Sequence, residues 1–163
     1  EEFDALGVPF ERRGARTDEY MRALRALWAS DDATFVGDFV NFDGISMNPK
    51  PHNGTVPLHI GGHSTRAARR AGELGDGFFP GKGNLPELID VVHQAAAGVG
   101  RDATAIEITA THPGMFGDDP VAAVEEAASW GVHRLVIPAF LFAKQPDAVN
   151  ETIPLFMDKL RSS

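Results

Sequence analysis

Pro57-Leu58-His59-Ile60-Gly61-Gly62-His63-Ser64-Thr65-Arg66-Ala67-Ala68-Arg69-Arg70 is the stretch that decides the fold. A short apolar run ends in two glycines, and a helix begins at a hydroxyl residue. Glycine lets a ligand approach the backbone closely. Ser64 suits the N-cap, and Ala67, Ala71 and Leu74 fall on one helix face. The first amides of such a helix point outward, without intrahelical partners, at the positive end of its dipole. With the two glycines Gly61 and Gly62, the hydroxyls of Ser64 and Thr65 and the charge of Arg66, these amides make an anion site suited to a phosphate group. The same residues also fit a plain capped turn between strand and helix with no ligand. The stretch is neither a Walker A loop nor a GxGxxG fingerprint.

The rhythm continues toward the C-terminus. Gly75-Asp76-Gly77 ends the helix and Phe78-Phe79 reads as a short buried strand. Pro86 opens a helix that turns Leu88, Ile89 and Val92 inward. Residues 105–111 form a strand, and Asp119-Pro120 opens a helix that runs to Trp130 and stops at Gly131. Residues 134–138 form the next strand. A last helix spans Pro146 to Leu160 with Val149, Ile153, Phe156 and Leu160 inward, and Pro154 predicts a kink or break in it. Four strand-helix alternations over residues 57–163 imply a parallel α/β sheet with helical crossovers.

The N-terminal side has a different texture. Asn48 to Pro57 is a loop with three prolines. Residues 34–42 read as a β-hairpin with a two-residue turn at Gly37-Asp38. Before it, Thr17 is the expected N-cap of a helix with Asp18 and Glu19 in its first turn. Its buried face would hold Tyr20, Met21, Leu24, Leu27 and Trp28.

Composition narrows the function classes. Of 163 residues, 43% are hydrophobic and 23% charged, the balance of a folded chain. The net charge of −8, without a basic stripe, argues against nucleic acid as a partner. No apolar run approaches the roughly 20 residues that span a bilayer. Cysteine is absent, which excludes a disulfide framework, a thiolate nucleophile and a Cys-based zinc site. The chain starts Glu1-Glu2-Phe3, without an initiator Met or a signal peptide. That predicts a cytoplasmic protein and a chain that begins within a longer one.

Several further pieces carry a resemblance. They are residues 1–10 (Glu-Glu-Phe-Asp-Ala-Leu-Gly-Val-Pro-Phe), Arg13 to Glu19, Leu24 to Trp28, Phe39 to Phe42 with Gly44, and Asn48-Pro49-Lys50-Pro51. Ile60-Gly61-Gly62-His63-Ser64 and Gly75-Asp76-Gly77-Phe78-Phe79-Pro80 complete the set. In this order and spacing the chain resembles the luciferase-like monooxygenase family, especially its branch that uses coenzyme F420. The resemblance weakens after Pro80. It implies a (β/α)8 TIM barrel with its site at the C-terminal ends of the strands. It also implies an oxidoreductase that passes hydride between coenzyme F420 (alternatively FMN) and a small organic substrate. Gly61, Gly62, His63 and Ser64 would hold the cofactor phosphate, with Arg66 beside them.

Against a barrel of typically about 250 residues, residues 1–163 read as a single domain, the C-terminal half of such a barrel. Residues 1–56 would be a helix plus the hairpin insertion, and residues 57–163 the last four βα units. The first four strands would be missing, and with them the residues lining the cofactor ring, so no catalytic residue is assigned. Two open sheet edges would drive the chain to form a homo-oligomer or to associate with the missing half. Two rival readings remain: a non-catalytic phosphate-binding half-barrel, and a phosphate-dependent isomerase or aldolase barrel.

The remaining candidates follow from position. Lys82, in Gly81-Lys82-Gly83, and His112, before Pro113-Gly114, would both lie on the catalytic rim as contacts for an anion or substrate. Each also fits a bland role, Lys82 as a solvated lysine and His112 as a hydrogen-bonded loop residue. His59 and His63 are separated by Gly61-Gly62 and share no helix face, so no metal site is expected. His93 and His133 read as structural, Glu125 and Glu126 as surface carboxylates, and Arg69 and Arg70 as a solvated helix face.

Overall fold

A computed structural model describes residues 2–141 and 148–161. The chain divides into two compact units, Glu1–Leu58 and His59–Ser163.

The first unit holds α1 (Glu2–Ala5), α2 (Arg13–Ala29) and an antiparallel hairpin of β1 (Ala33–Val36) and β2 (Asn41–Ile45). Helix α2 begins four residues before the expected cap. Thr17 lies inside it, its hydroxyl donating to the Arg13 carbonyl at 2.9 Å, and the N-cap position falls to Arg12 at φ 54° with no side-chain cap. The hairpin is present, but four residues rather than two join its strands, and the Gly37 amide donates to the Val40 carbonyl at 3.1 Å.

Glu19 explains both departures. It is no first-turn residue on the surface but a buried carboxylate under the hairpin loop. It accepts the amides of Phe39 at 2.7 Å, Val40 at 2.8 Å and Asp38 at 2.9 Å. Gly37 is needed for this approach, because a Cβ there would overlap the carboxylate. The expected apolar face of α2 is only partly buried. Met21 is covered, whereas Tyr20 and Leu24 are exposed and line, with Leu27, Val40 and Phe42, an open apolar cleft of about 300 Å³.

Burial by itself would raise the pKa of Glu19, but the three amides outweigh it and hold the carboxyl below the ordinary glutamate range. A carboxylate depressed in the folded state adds stability above its unfolded pKa and loses it as pH falls through the folded value. The first unit should therefore keep its stability at neutral pH and lose it on acidification below the usual glutamate range. Glu19→Gln should flatten that acid limb, and Gly37→Ala should destabilise the unit at every pH. Denaturant titrations across pH, followed by Trp28 fluorescence in a Trp130→Phe background, measure both effects.

The second unit is a four-stranded, all-parallel sheet in the order β3 (His59–Gly61), β4 (Gly77–Phe79), β5 (Glu107–Ala110), β6 (Arg134–Leu135). The connecting helices are α3 (Thr65–Leu74), α4 (Leu85–Gly98) and α5 (Pro120–Ser129), and α6 (Val149–Arg161) follows β6. Three strands are shorter than expected. Strand β3 starts at His59, β5 is preceded by a single helical turn over Ala103–Ala105, and β6 stops at Leu135. Pairing nonetheless persists past β6, since the Val136 amide donates to the Ala110 carbonyl at 2.8 Å.

Alternation gives the sheet two unlike faces. Ile60, Phe78 and Ile108 share the face toward α3 and α4, where Phe78, Ile108 and Val92 are fully buried. Helices α3 and α4 pack at close range because position 72 is glycine; a Cβ there would overlap the Val92 carbonyl. Helix α6 departs from expectation. It runs unbroken through Pro154, and no described residue of it is buried, so Ile153 lies exposed. Proline removes one backbone hydrogen bond from a helix, and this helix continues past that loss. The expected start of the last helix at Pro146 lies outside the described residues.

One contact ties α3 to the rest of the unit. The Arg101 guanidinium donates to the carbonyls of Gly72 at 2.6 Å and Gly75 at 2.6 Å, where α3 leaves its last carbonyls unpaired. It lies 3.8 Å from Asp76. Arg101→Ala strips charged donors from half-buried carbonyls and should cost about 2 kcal/mol. Arg101→Lys should recover only part of this, because an ammonium cannot fork between the two carbonyls. Urea unfolding midpoints of the two variants give the comparison.

Candidate functional site

Because every strand of the sheet runs the same way, all four C-terminal ends reach one edge. The loops after β3, β4 and β5 meet there. Gly62 leaves β3 at φ 127°, a conformation open to glycine, and its amide donates to the Phe79 carbonyl at 3.2 Å. Ser64 then caps α3. Its Oγ accepts the Ala67 amide at 3.2 Å, and its carbonyl accepts the Ala68 amide at 3.0 Å. The amides of Thr65 and Arg66, the first two of the helix, have no carbonyl behind them in it.

The loop after β4 lies alongside. A Cβ on Gly81 would sit 3.9 Å from the His63 ring, and one on Gly83 would sit 3.8 Å from the His63 carbonyl. Lys82 stands between these glycines, exposed, and lines a small cleft of about 50 Å³ with Pro80, Gly83, Leu85, Ala110 and Thr111. The cleft joins the ends of β4 and β5. Gly61 at the end of β3, Gly62, His63 and Ser64 in the turn, Arg66 in the first turn of α3 and Lys82 in the next loop therefore lie at one edge. At Gly61, the last residue of β3, an added side chain would meet nothing within 4 Å, so the sheet face is open there. Thr65 lines instead a groove between α3 and α4 with Arg69 and Gln94, away from this edge.

His112 is at the end of β5, but its ring is engaged inside the chain. Its Nδ1 accepts the Gly114 amide at 3.1 Å, which places the proton on Nε2. That nitrogen is 3.2 Å from Glu126 Oε2. The ring lies 5.3 Å from Trp130, and the side chain is only 11% exposed. His112 thus caps the turn Pro113–Phe116 and pins it to α5 rather than opening into the cleft. Glu126 is correspondingly no idle surface carboxylate. His133 Nδ1 accepts the Ile108 amide at 3.0 Å, a structural role. The His112–Glu126 pair escaped a sequence reading because it joins separate elements; a histidine directly before Pro-Gly was the available hint.

Comparison with known proteins follows the same lines. The sequence profile of the luciferase-like monooxygenase family matches residues 1–155. The F420-dependent glucose-6-phosphate dehydrogenase of Mycolicibacterium smegmatis is 32% identical over 155 residues, covering 92% of this chain and 44% of the relative. The 5,10-methylenetetrahydromethanopterin reductase of Methanolobus tindarius is 31% identical over 152 residues, again 44% of its length. The chain thus spans less than half the length of these curated relatives. Among solved structures, monooxygenase RslO1 from Streptomyces bottropensis superposes with a TM-score of 0.76 at 18% identity, over 99% of this chain and 64% of that one. The coenzyme F420-dependent tetrahydromethanopterin reductase of Methanopyrus kandleri gives 0.57 at 17% identity, over 92% and 46%. With a profile match over nearly its whole length, the chain belongs to the luciferase-like monooxygenase family.

Proposed function

We propose that this chain is the cofactor-phosphate half of an oxidoreductase that uses coenzyme F420, with FMN as the alternative cofactor. The observation that carries the proposal is the Gly62–Arg66 turn. Two amides without a carbonyl behind them at a helix start, an open sheet face at Gly61 and a lysine on the adjoining loop form one cationic edge, and helix starts of this kind bind phosphate. Gly61, Gly62, His63 and Ser64 would hold the cofactor's phosphate, with Arg66 and Lys82 adding charge to cofactor or substrate. When bound, the cofactor ring supplies the hydride chemistry with a small organic substrate. The residues on this edge bind and orient the anionic end. His112 is left out of the contacts, since both its nitrogens are engaged within the chain.

The parallel sheet β3 to β6 is read as the last four strands of a (β/α)8 barrel, and the hairpin as an insertion before the fifth. The 44% coverage of the curated relatives supports this division. On this reading the residues that line the cofactor ring belong to the remainder of the barrel. The chain alone then binds the phosphate end without turning over substrate.

Titrating the chain with FMN and with coenzyme F420, followed by cofactor fluorescence, tests the proposal. Saturable binding that inorganic phosphate displaces is expected. Arg66→Ala and Lys82→Ala should each weaken binding by roughly 3- to 10-fold and reduce its salt dependence, as expected for an exposed charge contact. Unchanged signals with both cofactors would sink the reading.

A further inference from the structure

Three histidines of the second unit have settled partners. His59 lies 4.0 Å from Glu107, His112 lies 3.2 Å from Glu126, and His133 accepts the Ile108 amide at 3.0 Å. His63, on the C-terminal edge of the sheet, differs from all of them. It is exposed, and among the described residues no ion pair or hydrogen bond engages its ring. The ring leans from its own turn toward the next loop, where its Nδ1 would sit 3.9 Å from a Cβ on Gly81. The turn after β3 and the loop after β4 thus meet at this imidazole.

The charged groups on the elements around it are mostly of one sign. Arg66 stands in the first turn of α3, and Lys82 follows Gly81 in the loop after β4; both are exposed. The first turn of α4 carries Glu87, and no ion pair links it to His63 among the described residues. The end of β5 adds Ala110 and Thr111 to the Lys82 cleft, and neither titrates. Lysine and arginine side chains keep their charge from about pH 5 to about pH 8, the range in which histidine changes its own.

We propose that His63 couples anion binding at this edge to proton uptake, so that the site holds its ligand more tightly in mild acid than in mild base. The inference rests on the phosphate-site reading above. A dianion seated beside the ring favours its charged form. The protonated ring in turn offers the anion a charge and an N–H donor, and charge-assisted hydrogen bonds are the stronger kind. The coupling is reciprocal: the factor by which the anion favours the protonated ring is the factor by which that ring tightens the anion. The proton comes from solvent as the anion binds and returns to it as the anion leaves. The added affinity is present where the ring is protonated and is lost as pH rises through its titration.

Sulfate is the probe, because it stays a dianion over this range and its own protonation cannot imitate the effect. Sulfate titrations of the full chain at constant ionic strength, followed by the amide resonances of Gly62, Ser64 and Thr65, give a dissociation constant at each pH. From about pH 8 to about pH 5 it should fall roughly tenfold, an ordinary size for a coupling. His63→Gln should keep the weaker constant throughout. His93→Gln, which removes an exposed histidine from α4 and changes the overall charge equally, should leave the pH dependence intact. In the wild type at constant neutral pH, added sulfate should move the His63 Cε1–H resonance toward its protonated position; a resonance that stays still overturns the proposal without any variant. So does sulfate binding of equal strength across the range, or a His63→Gln chain that keeps the full pH dependence. Either of these leaves the phosphate edge standing. Amide resonances that sulfate does not shift at any pH overturn the phosphate edge and the coupling together.

Discussion

The pairing of Gly61 with Phe79 governs which residues share the C-terminal edge of the sheet. In a parallel pair the strand ends lie side by side, so the residues that follow them become neighbours whatever their separation in sequence. Gly62 and Gly81 are brought together in this way, and so are His63 and the lysine loop. Helix α3 must then start on that edge and run back across the sheet. Its dipole aims at the edge as a consequence of topology. The close seating of α3 is a matter of residue size: Ala67, Ala68 and Ala71 are buried against the sheet, and Gly72 admits the α4 backbone. Arg101 secures the far end of the helix. A change at Arg101 thus acts on the edge at Ser64 from the opposite end of α3.

The βα half of the chain was readable because its punctuation is local. Ser64, Pro86 and Asp119-Pro120 mark helix starts by side-chain chemistry within one turn, and the helices start where these residues sit. Strand lengths were less readable, since a strand extends only as far as its neighbour pairs with it. Residues 134–138 have the composition of a strand, but only Arg134–Leu135 meet β5 as one. Helix α2 misled for a related reason. Thr17-Asp18-Glu19 has the local form of a helix start, whereas Glu19 answers to three amides twenty residues away. Arg101, Glu107 and His112 likewise act on groups outside their own element, and no periodicity announces such partners. The turn at Gly61–Ser64 was legible in outline because glycine, a hydroxyl cap and a helix start are adjacent in sequence. The edge as a whole was not, because its width depends on β4 and β5.

The two faces of the sheet show how one short alternation serves two purposes. Ile60, Phe78 and Ile108 satisfy the helices by burial, which is non-directional and tolerates some rearrangement. His59, Glu107, Thr109 and Arg134 satisfy one another by hydrogen bonds and charge, which fix position. A one-residue slip of β5 would send Glu107 into the helix layer and Ile108 to the polar side. The polar face therefore holds the register that the apolar face needs.

The same device occurs in both units, with one difference. In the first unit three consecutive amides, at 38–40, converge on the Glu19 carboxylate, and the protein itself supplies the anion. At the start of α3 the protein supplies only part of what the amides need. Ser64 takes Ala67 and Ala68, and the two amides before them have no carbonyl behind them in the helix. Convergent backbone donors demand negative charge wherever they occur. Where the chain provides the charge internally, the result is a locked loop. Where it stops two amides short, beside a lysine on the next loop, the proposed reading has the charge arrive from outside. That contrast, drawn within one molecule, is the strongest physical reason to read the helix start as a binding site and the hairpin loop as architecture.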